Sequence, residues 1–154
     1  MSATNEMTTA QAVRSMLRLM PRLVGRAKRL PIPAALRRLD LAPRHLALLA
    51  HLEYDGPLTV SQLASRLEVA PTTVSLMVGD LSRHGVLTRE EDDADRRRRI
   101  VSIAPAYAAP ITEWLSGSAT AWTEVLTALT PAERATVVAT MRAFEAALER
   151  HAST

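Results

Sequence analysis

Apolar residues along this chain recur mostly at intervals of three and four, the spacing of one helix face, and only two short stretches read as strands. Val13, Met16, Leu17, Met20, Leu23, Val24, Ala27 and Leu30 predict an amphipathic helix over 8–30, opened by a capping box between Thr8 and Gln11. Its other face carries Arg14, Arg18, Arg22, Arg26 and Arg29, and Pro21 is expected to kink it. Pro31 and Pro33 end that helix, and a short turn is expected over 36–39. Pro43 opens a second helix through about Tyr54, with Leu46, Leu49 and Ala50 on its inner face. Asp55-Gly56-Pro57 stops it, and a capping box of Thr59 and Gln62 starts a short helix that buries Leu63, Ala64 and Leu67.

Pro71 fits the first turn of the next helix, which runs to His84 and stops at Gly85, with Val74, Met77, Val78 and Leu81 facing inward. Residues 86–89 and 100–103 read as strands joined by a hairpin loop over 90–99. The remainder is helical. Tyr107, Ile111, Trp114, Leu115, Trp122, Val125, Leu126 and Leu129 share one stripe, with Pro110 implying a kink or a late start. Thr130-Pro131-Ala132-Glu133 has the N-cap, N1 proline and N3 acid of a helix start, and Val137, Val138, Met141, Phe144 and Leu148 follow at helical spacing.

Composition narrows the fold. With 154 residues, 47% apolar content and only 3% aromatics, the core must be filled by Leu, Val, Ile and Ala. That implies a mainly α chain with a small β-wing, as one domain or a small domain with helical extensions. No apolar run approaches the roughly 18 residues of a membrane span, so no membrane partner is expected. Residues 1–10 have neither a basic start nor an apolar segment, and a cytoplasmic chain without a signal peptide is expected. The absence of cysteine removes disulfides, thiolate metal sites and thiol redox sensing. His45, His51, His84 and His151 are too scattered for a local metal motif, so no metal or cofactor is expected. There is no glycine-rich phosphate loop and no recognisable nucleophile–base arrangement, so no catalytic residue is assigned and an enzyme is not expected.

A short helix, a turn, a second helix, a glycine stop and two strands around a charged loop describe a winged helix-turn-helix. Such a unit sets one helix against base edges in the DNA major groove and a basic loop against the backbone or minor groove. Charge is unevenly spread: residues 1–44 hold nine basic and two acidic groups, residues 45–104 seven and nine, and residues 105–154 three and five. The reader is therefore not basic overall, and the placement of particular arginines must carry the argument. Thr72, Thr73 and Ser75 offer hydroxyls at the start of the second helix, suited to phosphates or base edges, or simply to capping and solvation. Leu76 either touches a thymine methyl or packs internally. Asp80 would be repelled by phosphate unless a neighbour pairs with it. No Lys or Arg precedes Arg83 in this helix, which excludes a bidentate guanine contact from its N-terminal half. The electrostatic role then passes to the wing, where Arg96, Arg97, Arg98 and Arg99 follow the acids of 90–95 closely. Strand alternation would send Arg97 and Arg99 to one side and Arg96 and Arg98 to the other. The plain alternative for this run is a solvated loop, as it is a solvated face for the N-terminal arginine stripe.

The terminal segments have apolar stripes that the winged unit has little surface to bury. Pairing them with a second copy satisfies both and yields two readers related by twofold symmetry. The division expected is 1–42 as an N-terminal dimerisation helix and connector, 43–104 as the winged helix-turn-helix, and 105–154 as C-terminal dimerisation helices. A monomer with its ends folded back is the alternative.

These residues resemble the MarR family of bacterial winged-helix regulators. The family's wing signature, D-x-R-x-x-x-V-x-L-T, is matched by Asp95, Arg97, Val101 and Ile103, with Ala104 at the final position. The run from Pro57 to Ser75 is similar to the family's paired DNA-binding helices, and the element order is similar over essentially the whole chain. The resemblance implies a homodimeric transcription factor, often a repressor, on a pseudo-palindromic operator in double-stranded DNA. It further implies release by a small-molecule effector, here of unknown identity, with Arg14, His45 and His51 as candidates for its pocket. By position, Arg97 would enter the minor groove and Asp95 would hold it there. Leu76 and Asp80 stand where basic residues are frequent in the family, Ala70 lacks the hydroxyl often found at the helix start, and Pro105 and Pro110 alter the exit from the wing. The competing reading is a winged-helix protein-interaction module without operator binding.

Overall fold

The computed structural model describes residues 7–152, and its helices begin where side chains meet the free backbone N–H groups of a first turn. Residues 1–6 and 153–154, the outer ends of the terminal segments expected over 1–42 and 105–154, lie outside the described residues. Along the chain run α1 (Thr9–Ala27), α2 (Pro43–Asp55), β1 (Leu58–Thr59), α3 (Val60–Leu67), α4 (Pro71–Arg83), β2 (Leu87–Glu91), β3 (Arg99–Ile103), α5 (Pro105–Thr127) and α6 (Pro131–Ala152). They fall into two compact units, Met1–Leu115 and Ser116–Thr154.

Both capping boxes form. Thr8 and Gln11 bond reciprocally ahead of α1, as do Thr59 and Gln62 ahead of α3. Ahead of α6, Glu133 Oε2 accepts from the Thr130 N–H at 2.8 Å, and the Thr130 hydroxyl accepts from the Glu133 N–H at 3.3 Å. These bonds favour the charged carboxylate and hold the Glu133 carboxyl below its ordinary range. Gly85 follows the end of α4 with φ +74, a left-handed position that glycine takes without a Cβ penalty.

The core of the first unit is aliphatic. Leu48, Leu49 and Leu52 of α2 and Leu63 and Ala64 of α3 are buried with Val74, Met77, Val78 and Leu81 of α4. Val86, Leu87 and Val101 close it from the wing, and Ile111 and Leu115 from α5. The expected inner face of α2 needs correction. Leu49 is buried, but His45, Leu48 and Leu52 join it, while Leu46 and Ala50 are only partly buried. Leu67 is likewise only partly buried. In the connector, Leu36 seals the core with 1% exposure from within a turn, a burial that no periodicity announced.

Three strands form where two were expected, in the order β1-β3-β2 and all antiparallel. β1 has two residues and exists only because Leu58 and Thr59 pair with Val101 and Ile100. β2 and β3 also run further than expected, with Glu91 opposite Arg99, so the loop spans 92–98 rather than 90–99. Arg96, Arg97 and Arg98 therefore sit in the turn, and the alternation expected for them does not apply. α5 opens at Pro105 and continues through Pro110, so there is no late start. Its stripe is divided: Ile111 and Leu115 are buried, whereas Trp122 and Val125 are about half exposed at 51% and 56%. α1 and α6 bury no residue, and Leu17, Leu23, Val138, Met141, Phe144 and Leu148 are all exposed in the single chain.

Two glycines test this local chemistry in opposite directions. A Cβ at Gly85 would meet nothing within 4 Å, so Gly85→Ala should destabilise the fold by ~1–2 kcal/mol through its positive φ alone. Gly79 lies inside α4, where a Cβ would make only an ordinary contact at 4.0 Å, so Gly79→Ala should stabilise by ~0.4–1 kcal/mol. Urea unfolding of both variants checks the pair; a shift of the same sign in each would contradict the assignment.

Candidate nucleic-acid interface

The inward face of α4 fixes its outward face. With Val74, Met77, Val78 and Leu81 buried, the line opposite runs Thr72, Leu76, Gly79 and Arg83, at intervals of four, three and four. Thr72, Thr73 and Ser75 are exposed, and so is Leu76, at 75%. The internal-packing alternative for Leu76 is thereby removed. Asp80 has the partner it required: Arg83 Nη2 donates to its carboxylate at 3.0 Å, and His84 Nδ1–H donates to its carbonyl oxygen at 2.9 Å.

The wing's acids shape its own turn. Asp92 Oδ1 accepts from the Ala94 N–H at 2.9 Å, and Asp95 Oδ1 accepts from the Arg97 N–H at 3.0 Å. The Arg98 N–H donates to the Asp95 carbonyl at 2.8 Å, and the Asp92 N–H donates to the Arg98 carbonyl at 3.0 Å, which closes the hairpin. Arg98 Nε also stands 3.6 Å from Asp95 Oδ2, an exposed pair of little intrinsic strength. Asp95 thus holds the backbone of Arg97 and leaves its guanidinium unengaged by that carboxylate.

The geometry gathers cations into one place. A cleft of about 630 Å³ opens between α3, α4 and the wing. One wall is the start of α3, with Ser61, Gln62 and Ser65, and Ser75 of α4 stands beside it. The other wall is Arg89, Arg97, Arg98 and Arg99, and no acidic side chain lines the cleft. Hydroxyls, an amide, a helix start and four guanidiniums form a concave donor surface that matches a run of phosphate oxygens. The sequence did not announce the α3 wall. Arg89 reaches from β2 to α4, so that its Nη2 lies 4.0 Å from where a Cβ of Gly79 would sit, a juxtaposition that no linear spacing signals. Arg96 is exposed in the turn but does not line the cleft, and Arg83 lies on the other side of α4.

On that other side, a cleft of about 440 Å³ is lined by Arg44, His45, Thr73, Leu76, Met77 and the Asp80–Arg83 pair. His45 is 4% exposed, and its Nδ1 accepts from the Ala42 N–H at 3.1 Å, capping the first turn of α2 from within. That bond requires an unprotonated Nδ1. Burial, and then the neighbouring Arg44 charge, lower the His45 pKa, outweighing the opposite pull of Asp80 and Asp40. His51 belongs elsewhere: it bonds Asp55 at 3.0 Å, and Arg66 of α3 pairs with the same carboxylate oxygen. The His51 bond, with Arg66 adding to it, holds the Asp55 carboxyl below its ordinary range. Neither Arg14 nor His51 lines a cleft with His45, so the three effector candidates are not brought together there. Among the described residues no group of three His, Asp or Glu side chains is placed to hold a metal ion, and no helix is long and apolar enough to cross a membrane.

Comparison with known proteins agrees with this geometry. A family model described as MarR family matches residues 39–98. The chain is 30% identical over 99 residues to the HTH-type transcriptional repressor MdtR of Bacillus subtilis (strain 168), a match covering 64% of this chain and 64% of that protein's length. Among solved structures, the fold is similar to S. aureus MepR in its DNA-binding conformation, with a TM-score of 0.62 at 17% identity over 88% of this chain and 98% of that one. It is also similar to Bordetella bronchiseptica BpsR, from a structure describing regulation of that protein's DNA binding by 6-hydroxynicotinic acid. That match has a TM-score of 0.56 at 22% identity over 87% of this chain and 98% of the other.

The His45 cap sets a pH dependence. Because the folded-state pKa lies below the unfolded value, the unfolded chain binds the proton more tightly. The contribution to stability is complete above about pH 6.5 and is lost as pH falls through that value toward the folded pKa. Melting temperature should therefore drop between pH 7.5 and pH 5 by more in the wild type than in His45→Gln, which keeps an acceptor but does not titrate. Parallel curves would contradict the assignment.

Proposed function

We propose that the chain is a transcriptional repressor of the MarR family that binds a pseudo-palindromic operator in double-stranded DNA as a homodimer, a reading supported by the family model over 39–98 and the likeness to MdtR. The observation that carries the reading is the acid-free arginine cleft beside the exposed start of α4. Residues 45–104 have a net negative charge, yet Asp92 and Asp95 bond the wing's own backbone and Asp80 bonds Arg83. The surface presented to a duplex is positive where a phosphate strand would pass. This favours DNA over a protein partner for the winged unit.

In this reading residues 43–104 are the reader. Thr72, Thr73, Ser75 and Leu76 face the major groove. Arg97 enters the minor groove from a turn held by Asp95, Arg89, Arg98 and Arg99 contact the backbone from the cleft, and Arg83 and Arg96 contact it at the margins. Residues 1–42 and 105–154 form the dimer. Its support is the apolar surface left open in the single chain: Met16, Leu17 and Leu23 on one arc of α1, and Met141, Phe144 and Leu148 along α6. Unrelieved exposure on this scale marks an interaction surface. A small molecule serves as effector, by analogy with BpsR, and the protein acts in the cytoplasm without a catalytic role of its own.

Two measurements test the proposal. Arg97→Ala should weaken binding to the DNA upstream of its own gene by ~1–3 kcal/mol while leaving the unfolding midpoint unchanged. Arg98→Ala should cost less, because Asp95 already offsets part of its charge. Equal losses, or a stability loss matching the binding loss, would remove the role given to Arg97. For the dimer, Leu17→Asp combined with Met141→Asp should convert the sedimenting species from dimer to monomer with helical content retained, since both side chains are exposed in the single chain. An unaltered dimer would place the interface elsewhere.

A further inference from the structure

The outward line of α4 contains one apolar side chain, and its position is informative. A single exposed leucine on a protein surface is ordinary and needs no explanation by itself. Leu76, however, stands on the crest of α4 between Thr72 and Gly79, diametrically away from the buried face, with Ser75 of the arginine cleft on one flank and the His45 cleft on the other. Gly79, the next crest position, has no side chain to compete with it for depth of approach. The crest cation that follows, Arg83, is tied to Asp80 at 3.0 Å, and Arg89 approaches the helix at Gly79, past its midpoint rather than at its start. The N-terminal half of α4 thus offers base edges the hydroxyls of Thr72, Thr73 and Ser75, the small methyl groups of the two threonines and, as its largest and most exposed apolar group, the isobutyl group of Leu76.

Hydroxyls donate and accept, and they discriminate weakly among bases. In the major groove the one apolar feature on any base edge is the C5 methyl group of thymine. An isobutyl group set against a guanine or adenine edge would instead strip water from acceptors without replacing those hydrogen bonds. We propose that Leu76 is the principal base-reading side chain of α4 and that it selects a thymine through its C5 methyl group. The inference rests on the reading of α4 as the DNA-facing helix. It adds which base is read, by which atoms, and why a helix lacking arginine in its first three turns still discriminates among sequences.

The full-length protein, used to select binders from a random duplex library, tests this directly. Each enriched thymine is then replaced by deoxyuridine, which removes only the methyl group, and dissociation constants are measured for the wild type, Leu76→Ala and Leu76→Met. The wild type should be sensitive at one thymine in each half-site, losing about fourfold in affinity per methyl group removed. Leu76→Ala should bind the thymine duplex more weakly and no longer distinguish thymine from deoxyuridine at that step, whereas Leu76→Met should retain the preference. Because Leu76 is outside the core, both variants should keep the wild-type unfolding midpoint. Sequence-specific binding by a wild type indifferent to deoxyuridine at every thymine overturns the inference alone, as does undiminished methyl sensitivity in Leu76→Ala. If no sequence is enriched and no duplex is bound, the reading of this chain as a DNA-binding regulator fails, and the inference with it.

Discussion

Burial of one face of α4 is the constraint on which the rest of the structure depends. Val74, Met77, Val78 and Leu81 are buried in one cluster with leucines from α2 and α3, the wing's Val86, Leu87 and Val101, and Ile111 and Leu115 of α5. With almost no aromatic side chains available, this contact is made of close-packed aliphatic groups with few alternative arrangements. It locks the rotation of α4 about its own axis. Once that rotation is set, Thr72, Leu76, Gly79 and Arg83 have no choice but to face outward, and Ser75 falls beside the cleft. The same core anchors the first half of α5, so a helix that begins in the core of the winged unit ends with Trp122 and Val125 exposed.

Charge is allocated by a second rule. The wing contains nearly equal numbers of acids and arginines, and a solvated tangle of ion pairs would be the simplest outcome. Instead Asp92 and Asp95 accept from backbone N–H groups two residues on, the local bonding that short carboxylates favour in turns. That chemistry uses the acids to fold the loop and leaves Arg97, Arg98 and Arg99 on one wall with Arg89. A segment that is acidic in sum therefore presents a basic concavity. Net charge says little about such a surface; what each carboxylate is bonded to says a great deal.

What could be read from the sequence was local. The caps at Thr8, Thr59 and Thr130, the stop at Gly85 and the inward set of α4 all depend on residues close to one another in sequence, and all form. The inner face of α2 was misjudged because His45 to Leu52 is so rich in apolar residues that several helical registers fit it equally well, and only packing chooses His45, Leu48, Leu49 and Leu52. β1 has no signature of its own, since two residues become a strand only through a partner some forty positions away. Arg96 to Arg98 could not be placed while the ends of the hairpin were unknown. The α3 wall was not foreseen, and the place of Arg89 comes from its approach to Gly79, because both are contacts between elements rather than within one.

If the arginine cleft carries the phosphate contacts, the salt dependence of DNA affinity reports it. Four cleft arginines per protomer give eight in a dimer, so the slope of log K against log salt should lie at about −4 to −7, using roughly 0.9 ions released per contact. Replacing Arg89 and Arg97 together by alanine should flatten that slope by about 3, for operator and random DNA alike. A slope unchanged by the double substitution would contradict the account. So would a wild-type slope steeper than about −9, which would mean that cations outside the cleft, foremost the arginine row of α1, bind the duplex.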